Sequence, residues 1–422
     1  VLLIFFFLED DITPHFYVLY ILYLTAIPES DVRTMRYPAA INLPNNQPMN
    51  VDFAGHILHL LENVTGDAVT TFSDVSTALG DAGVVFSLPR VFRELAQPPL
   101  SPPPNVEEGW PECKESFYRR IKNVVFRVVR STGALFHPEQ AVFLEKNGVP
   151  LIPLDPGPEK ERGKGGEGGE LLNVAVDMAR ARVVSVPETA LLARLAEEQK
   201  QMSKKVVLAS STDAGSVRFV GGVDVSYMEL GCGRALGFGA FVLYDLKRDE
   251  VVQRWTNILP VLFPYIPTYL AYREMPVVLD LLGKTRDRWA GEMDVLFVNG
   301  HGIMHPRGLG LASHLGVLLD VPTVGVAKKA LRGAEMPVGD LVPVRYGKKI
   351  VGFHVSISGG EGEKRRRRGL VITPGHRVSI ADSLRISRQA LRDGKIVPLV
   401  LAHRLARKEY LSTKTETGYL SR

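Results

Sequence analysis

The sequence predicts an α/β protein: a mixed sheet of three antiparallel strands followed by parallel strands with flanking helices over residues 181–415, preceded by an N-terminal extension. Two observations carry this. Val217 to Tyr227, Gly237 to Asp245 and Val251 to Ile258 are strand-like runs in close succession, and the charged Lys247, Arg248 and Asp249 make the turn of an antiparallel hairpin between the last two. Further on, the apolar Val295 to Val298 empties into a glycine-rich loop, Leu311, Leu315 and Leu318 recur at helical spacing, and Thr323 to Val326 is apolar again. Strand, loop, helix and strand in that order make a crossover between parallel strands.

Three antiparallel strands, a helix, then parallel strands alternating with helices is the element order of a ribonuclease H-like fold. The remaining elements follow from local signals. Residues 1–96 form an extension with helix-like patches at His56 to Leu61 and Pro89 to Leu95. Successive prolines in Gln97 to Pro104 lock φ, so residues 97–109 read as a stiff linker. A small segment, 110–153, mixes basic and apolar residues at Tyr118 to Arg130 and is amphipathic at Pro138 to Glu145. Residues 154–180, glycines among charges, cannot bury enough apolar surface to order themselves and read as a second linker.

After Pro187 a helical pattern runs from Ala190 to Lys205. In Tyr272-Arg273-Glu274-Met275-Pro276 the proline suits the first turn of a helix and not its interior, which places Glu274 near a helix start. Lys349 to Ser358 alternates as a strand, Gly359 to Gly369 is a polar insertion holding Lys364 to Arg368, and Leu370 to Thr373 resumes a strand. Ser379 with Asp382 makes a capping box for a helix through Arg392. Beyond it the chain is basic and expected to fray, with 416–422 as a tail.

With 422 residues the chain holds two or three domains, and 45% hydrophobic residues suffice for a core. Lys and Arg outnumber Asp and Glu by 51 to 46, and the pI of about 9.0 suits a polyanionic partner, with a solvated basic surface as an equal alternative. Cys113 and Cys232, the two cysteines present, are far apart, which argues against a disulfide framework or a thiolate metal cluster. A reducing, intracellular location in nucleus or cytoplasm is expected. Val1 to Leu8 lacks a basic flank and meets Glu9, Asp10 and Asp11, a poor signal peptide. Phe16 to Ile27 is short of the roughly 20 residues of a membrane helix, so no membrane partner is expected.

The loop after Val298 holds Asn299, His301, His305 and Arg307 at a strand end, where open α/β sheets place their chemistry, among glycines that admit a ligand close to the backbone. Asp224 sits inside an apolar strand, and an unpaired buried carboxylate is costly, which points to function. Glu274 reads either as a functional carboxylate or as a favourable charge at a helix N-terminus.

Together, Val223-Asp224-Val225-Ser226-Tyr227, Pro264-Tyr265-Ile266-Pro267, Tyr272-Arg273-Glu274, Gly300 to Gly308, Gly325 to Lys329 and Pro374-Gly375-His376-Arg377 closely resemble the endonuclease V family. The resemblance covers roughly 187–408, with the motifs in family order, and leaves the first 180 residues out. It implies hydrolysis of a phosphodiester on the 3′ side of inosine or deoxyinosine, a role in DNA repair or on RNA, and Mg²⁺ or Mn²⁺ as cofactor. By match to the family, Asp224, Glu274 and the residue at 299 hold the metal, and His376 and Lys328 join them in catalysis. Tyr265, between Pro264, Ile266 and Pro267, is the aromatic wedge, and Gly300, Gly302 and His305 contact substrate. The partner implied is single-stranded RNA or DNA containing inosine, bound by a monomeric catalytic domain. Surface solvation competes for His305 and Lys328, and a core role for Tyr265.

One departure stands out. The family has Asp directly before Gly300, and this chain has Asn299. A hard cation is held largely by ligand charge, so the change implies weaker metal binding and a rate loss of about 10²-fold or more. A catalytically silent inosine-binding module is the alternative. Arg365 to Arg368 reads as a solvated loop, with nuclear targeting or phosphate contact as further readings. Ala134 to Pro150 also resembles the N-terminal region of a tRNA-splicing endonuclease subunit, a similarity with no part in the functional reading.

Overall fold

A computed structural model describes residues 51–100, 115–154, 174–331, 333–335, 339, 341–356 and 369–416. The expectations for Phe16 to Ile27, for 101–109 and 155–173 of the linkers, for Arg365 to Arg368 and for the tail past 416 lie outside the described residues.

The first described elements are α1 (Phe53–Leu61), β1 (Ala68–Thr71), α2 (Phe72–Ala78) and α3 (Leu88–Leu95). Thr71 starts α2 with a capping box, its hydroxyl accepting from the Asp74 N–H while the Asp74 carboxylate reaches back. Next come α4 (Glu115–Val125), β2 (Val128–Val129), α5 (Gln140–Lys146), β3 (Leu151–Pro153), β4 (Val174–Val176), β5 (Arg182–Val183) and α6 (Leu191–Ser203). β1 pairs in parallel with both β2 and β5. That sheet joins segments on either side of the two expected linkers, so the described parts of the extension, of the small segment and of the region from 181 share one sheet. Aromatic packing reinforces the join: Phe72 meets Phe92 and Phe136 edge to face, with centroids 5.2 and 5.4 Å apart. Composition marks where a chain bends away from a core. It does not reveal which flanks meet again.

The main sheet has nine strands. β6 (Phe219–Gly231), β7 (Arg234–Asp245) and β8 (Glu250–Val261) form the expected antiparallel meander. After α7 (Leu270–Lys284) and α8 (Arg286–Trp289), β9 (Val295–Asn299) runs parallel to β6. Beyond α9 (Leu311–Leu319), β10 (Thr323–Ala327) runs parallel to β9. This is the ribonuclease H-like order read from the sequence. β11 (Ala334–Glu335), β12 (Leu341–Tyr346), β13 (Lys349–Ser356) and β14 (Gly369–His376) extend the sheet antiparallel past β10. The last elements are α10 (Ile380–Gln389), the β15 (Leu391–Arg392) and β16 (Lys395–Ile396) hairpin, and α11 (Val397–Glu416).

Period-two alternation divides the strands between two cores. Val223, Leu296 and Val298 face α7 and α9, while Val220, Val295 and Phe297 face α10 and α11. Ser379 caps α10 through the Asp382 N–H as expected.

Two further expectations fail. The segment after α10 does not fray: α11 is a twenty-residue helix whose fully buried Ala402 and Ala406 pack on Ala240 and Val242. Tight contact there needs Gly222, where a Cβ would come within 2.3 Å of the Pro398 carbonyl carbon. Cys232 is buried and disulfide-bonded, against the expectation from sequence separation. Among the described residues no helix is long and apolar enough to cross a membrane.

Candidate active site

Register brings the first two residues together. Val223 pairs with Val298, so Asp224 and Asn299 emerge side by side where β9 ends. The Asn299 amide nitrogen donates to Asp224 Oδ1 at 2.7 Å. Asp224 Oδ2 lies 2.7 Å from Nδ1 of His403 on α11. Asp224 is 6% exposed, so both oxygens of a buried carboxylate are satisfied, as the cost of burying one unpaired requires.

Glu274 approaches from α7 and is half-buried. Burial, and then the charge of Asp224, push its carboxyl up to about 8, against the opposing pull of Arg273. Arg273 bonds the Phe263 carbonyl at 3.0 Å and Glu229 at 2.7 Å, and stacks 4.4 Å from the Tyr227 ring centroid. The Tyr227 hydroxyl is buried without a partner among the described residues. α7 starts earlier than expected, at Leu270, so Pro276 lies inside it and Glu274 is past the first turn. An interior proline costs about 3 kcal/mol. Burial of Ala271, Met275, Val278, Leu279 and Leu282 along the helix offsets that.

Among the described residues no three His, Cys, Asp or Glu side chains converge as a metal-ligating group. The third position here is an amide. Asp224 and Glu274 are nonetheless two oxygen donors close enough for one charge to disfavour the other, a repulsion that a hard cation relieves. Turning the Asn299 amide would present its oxygen to the same point, since oxygen and nitrogen are interchangeable in outline. The donors therefore fit a divalent cation, with two ligand charges instead of three.

The Pro264 to Pro267 loop exposes its aromatic. Pro264 and Ile266 are buried while the Tyr265 ring is 42% exposed, with the Arg90 guanidinium 5.6 Å from its centroid. A core role for Tyr265 is thereby ruled out. Next to it, Thr268 has φ +69°, and its carbonyl accepts from Gln199, His305 and Arg307 at 3.3, 3.0 and 2.6 Å. His305 also accepts from the Arg307 N–H through Nδ1, and burial pushes it down to about 4. Nε2 thus ties the glycine-rich loop to the Pro264–Pro267 loop and Nδ1 is taken up within its own loop, so neither ring nitrogen is left for substrate.

The glycines serve packing as well. A Cβ on Gly302 would lie 1.9 Å from the Pro374 carbonyl oxygen, and one on Gly300 3.2 Å from Leu311 Cβ. The close approach expected for a ligand is made by this chain's own backbone. Lys328 is exposed just past β10, two residues beyond Val326, which pairs with Asn299.

His376 is not brought to the carboxylates. It pairs with Thr323 at the start of β10, and Thr323 with Leu296, three residues before Asn299. Its Nδ1 accepts from the Val207 N–H at 3.2 Å and its Nε2 lies 3.3 Å from Asp320. The histidine at the centre is His403, in the segment expected to fray. The small Ala402 and Ala406, with Gly222 on β6, were the signals that a helix lies against the sheet there.

A family model for Endonuclease V matches residues 200–404. Endonuclease V of Methanopyrus kandleri is 38% identical over 221 residues, half of this chain and 86% of that protein. The Ignicoccus hospitalis protein of that name is 34% identical over 214 residues, 51% of this chain and 93% of its own. The crystal structure of the human Endonuclease V catalytic domain aligns at 30% identity with a TM-score of 0.48, covering 55% of this chain and all of that one.

Proposed function

Because this chain belongs to the endonuclease V family, we propose that it is a metal-dependent nuclease hydrolysing a phosphodiester on the 3′ side of inosine or deoxyinosine in single-stranded RNA or DNA. The observation that carries the reading is the meeting of Asp224 and Asn299 where β9 ends, with Glu274 of α7 close enough to feel the Asp224 charge. Asp224 and Glu274 would hold Mg²⁺ or Mn²⁺, with the Asn299 amide oxygen as third donor. When bound, the cation supplies positive charge that favours ionised water and a departing oxyanion.

The chain's own groups do the rest. Tyr265, on a loop pinned through Thr268, presents a rigid ring face on which a displaced base stacks. His403 fixes the orientation of the Asp224 carboxylate. Lys328 carries its charge toward the phosphate beside Asn299. Aspartate to Asn299 removes one anion from the centre, and turnover falls by about 10²-fold relative to a chain with Asp there.

A second reading, a silent inosine-binding module, is favoured by the 2.7 Å bond from Asn299 to Asp224, which satisfies the carboxylate without a cation. One experiment separates them: purified protein and its Asn299→Asp variant are incubated with inosine-containing single strands in Mg²⁺ or Mn²⁺. Multiple turnover by the unaltered chain supports the nuclease. Binding without cutting, with cutting restored by the variant, supports the module. No cleavage by either protein removes the nuclease reading.

A further inference from the structure

α11 carries a basic face that leads away from the candidate active centre. His403 heads it in contact with Asp224. With Arg404, Arg407, Lys408, Leu411 and Thr415 it lines a surface groove of about 540 Å³. These positions recur at helical spacing on one side, whereas Glu409 of the same helix does not line it. Arg404, Arg407 and Lys408 are exposed, and none forms an ion pair with a described carboxylate.

Three like charges left uncompensated along one groove repel each other, and a polyanion relieves that repulsion. The track is stiff: Ala402 and Ala406, on the opposite side, are fully buried against the sheet. Arg407 is further held over the Tyr410 ring, 4.6 Å from its centroid. From Arg404 to Lys408 the helix rises about 6 Å. That is comparable to the step between neighbouring phosphates of one strand.

We propose that this face is a phosphate track for a single nucleic-acid strand whose reacting phosphodiester lies at Asp224. Arg404, Arg407 and Lys408 contact the phosphates of successive nucleotides leading away from the cut, without regard to base. The inference deepens the proposed nuclease reading, because it takes Asp224 as the place of reaction.

The test uses the full chain and its Arg404→Gln/Arg407→Gln/Lys408→Gln variant, glutamine keeping helix propensity without the charge. Affinity for fluorescent single strands is measured across a salt series, using an inosine strand extended one nucleotide at a time at either end and an inosine-free strand of equal length. An unchanged melting temperature confirms that the variant folds. Losing three phosphate contacts makes the slope of log affinity against log salt shallower by about 2, with binding about 10- to 100-fold weaker at low salt. The loss should vanish for inosine strands cut back on one side. Equal slopes and equal length dependence in the two proteins would overturn the track. A wild-type protein that binds strands with no inosine preference and no cleavage would instead remove the functional reading, while the slope difference on the inosine-free strand still reports on the groove.

Discussion

Two histidine–aspartate pairs sit at opposite ends of the central strands, and they are built inside out from one another. In His403–Asp224 the aspartate side chain is 5% exposed and the histidine 61%. In His376–Asp320 the histidine is 4% exposed and the aspartate 66%. A buried carboxylate remains an acceptor in need of positive charge, so the first pair, with Glu274 and Asn299 beside it, suits the cation of the proposed function. A buried imidazole is held neutral, and burial indeed pushes His376 down. Asp320 spends its charge on Arg377 at 2.7 and 2.8 Å, so the second pair closes the structure instead of opening it to a ligand. Which partner is buried, more than the residue types, separates the proposed working end from the structural one.

The contrast can be broken most sharply at Asp224. Asp224→Asn should cut cleavage by about 10³-fold or more, with little change in melting temperature, because isosteric amide replaces anion. Retention of near-normal cleavage would remove Asp224 from the reaction. Next in size, Asn299→Asp should raise turnover by about 10²-fold and tighten metal dependence, read as kcat against Mg²⁺ concentration. At the other end, His376→Ala should cost about 2 kcal/mol in denaturant unfolding by leaving the Val207 N–H unpaired and a void beneath it. Activity per folded molecule should stay the same; a large fall in kcat there would return His376 to the site.

The smallest effect concerns acid. His305 is pushed down to about 4 and His314 to about 3, each by burial first, so the unfolded chain binds protons more readily below its own value of 6.5. Their contribution is fully present above about 6.5 and is lost as pH falls toward the folded values. Unfolding free energy should therefore drop by about 1 kcal/mol per histidine over the first pH unit below 6.5. His305→Gln should flatten that part of the profile.

Much of this was legible in advance for identifiable reasons. The meander, the parallel crossover and the α10 cap rest on local pattern, and local pattern survives folding. Asp224 stood out because a carboxylate in an apolar strand needs a reason. His403 and His376 were exchanged because the Pro374 to Arg377 motif is conspicuous, whereas His403 is marked only by where α11 lies. His305 was taken for a substrate contact, and only its bonds to Thr268 and Arg307 show it occupied.

By itself, the sequence determined the strand order, the place of Asp224 inside an apolar strand, and the amide instead of a carboxylate at Asn299. Each depends on residue identity and spacing within one element. Tertiary structure alone decided which histidine meets Asp224, that segments flanking two apparent linkers share one core, and that Gly302 makes room for Pro374 and not for a ligand. These are contacts between distant segments, set by how faces pack and registers align, and no local pattern encodes them.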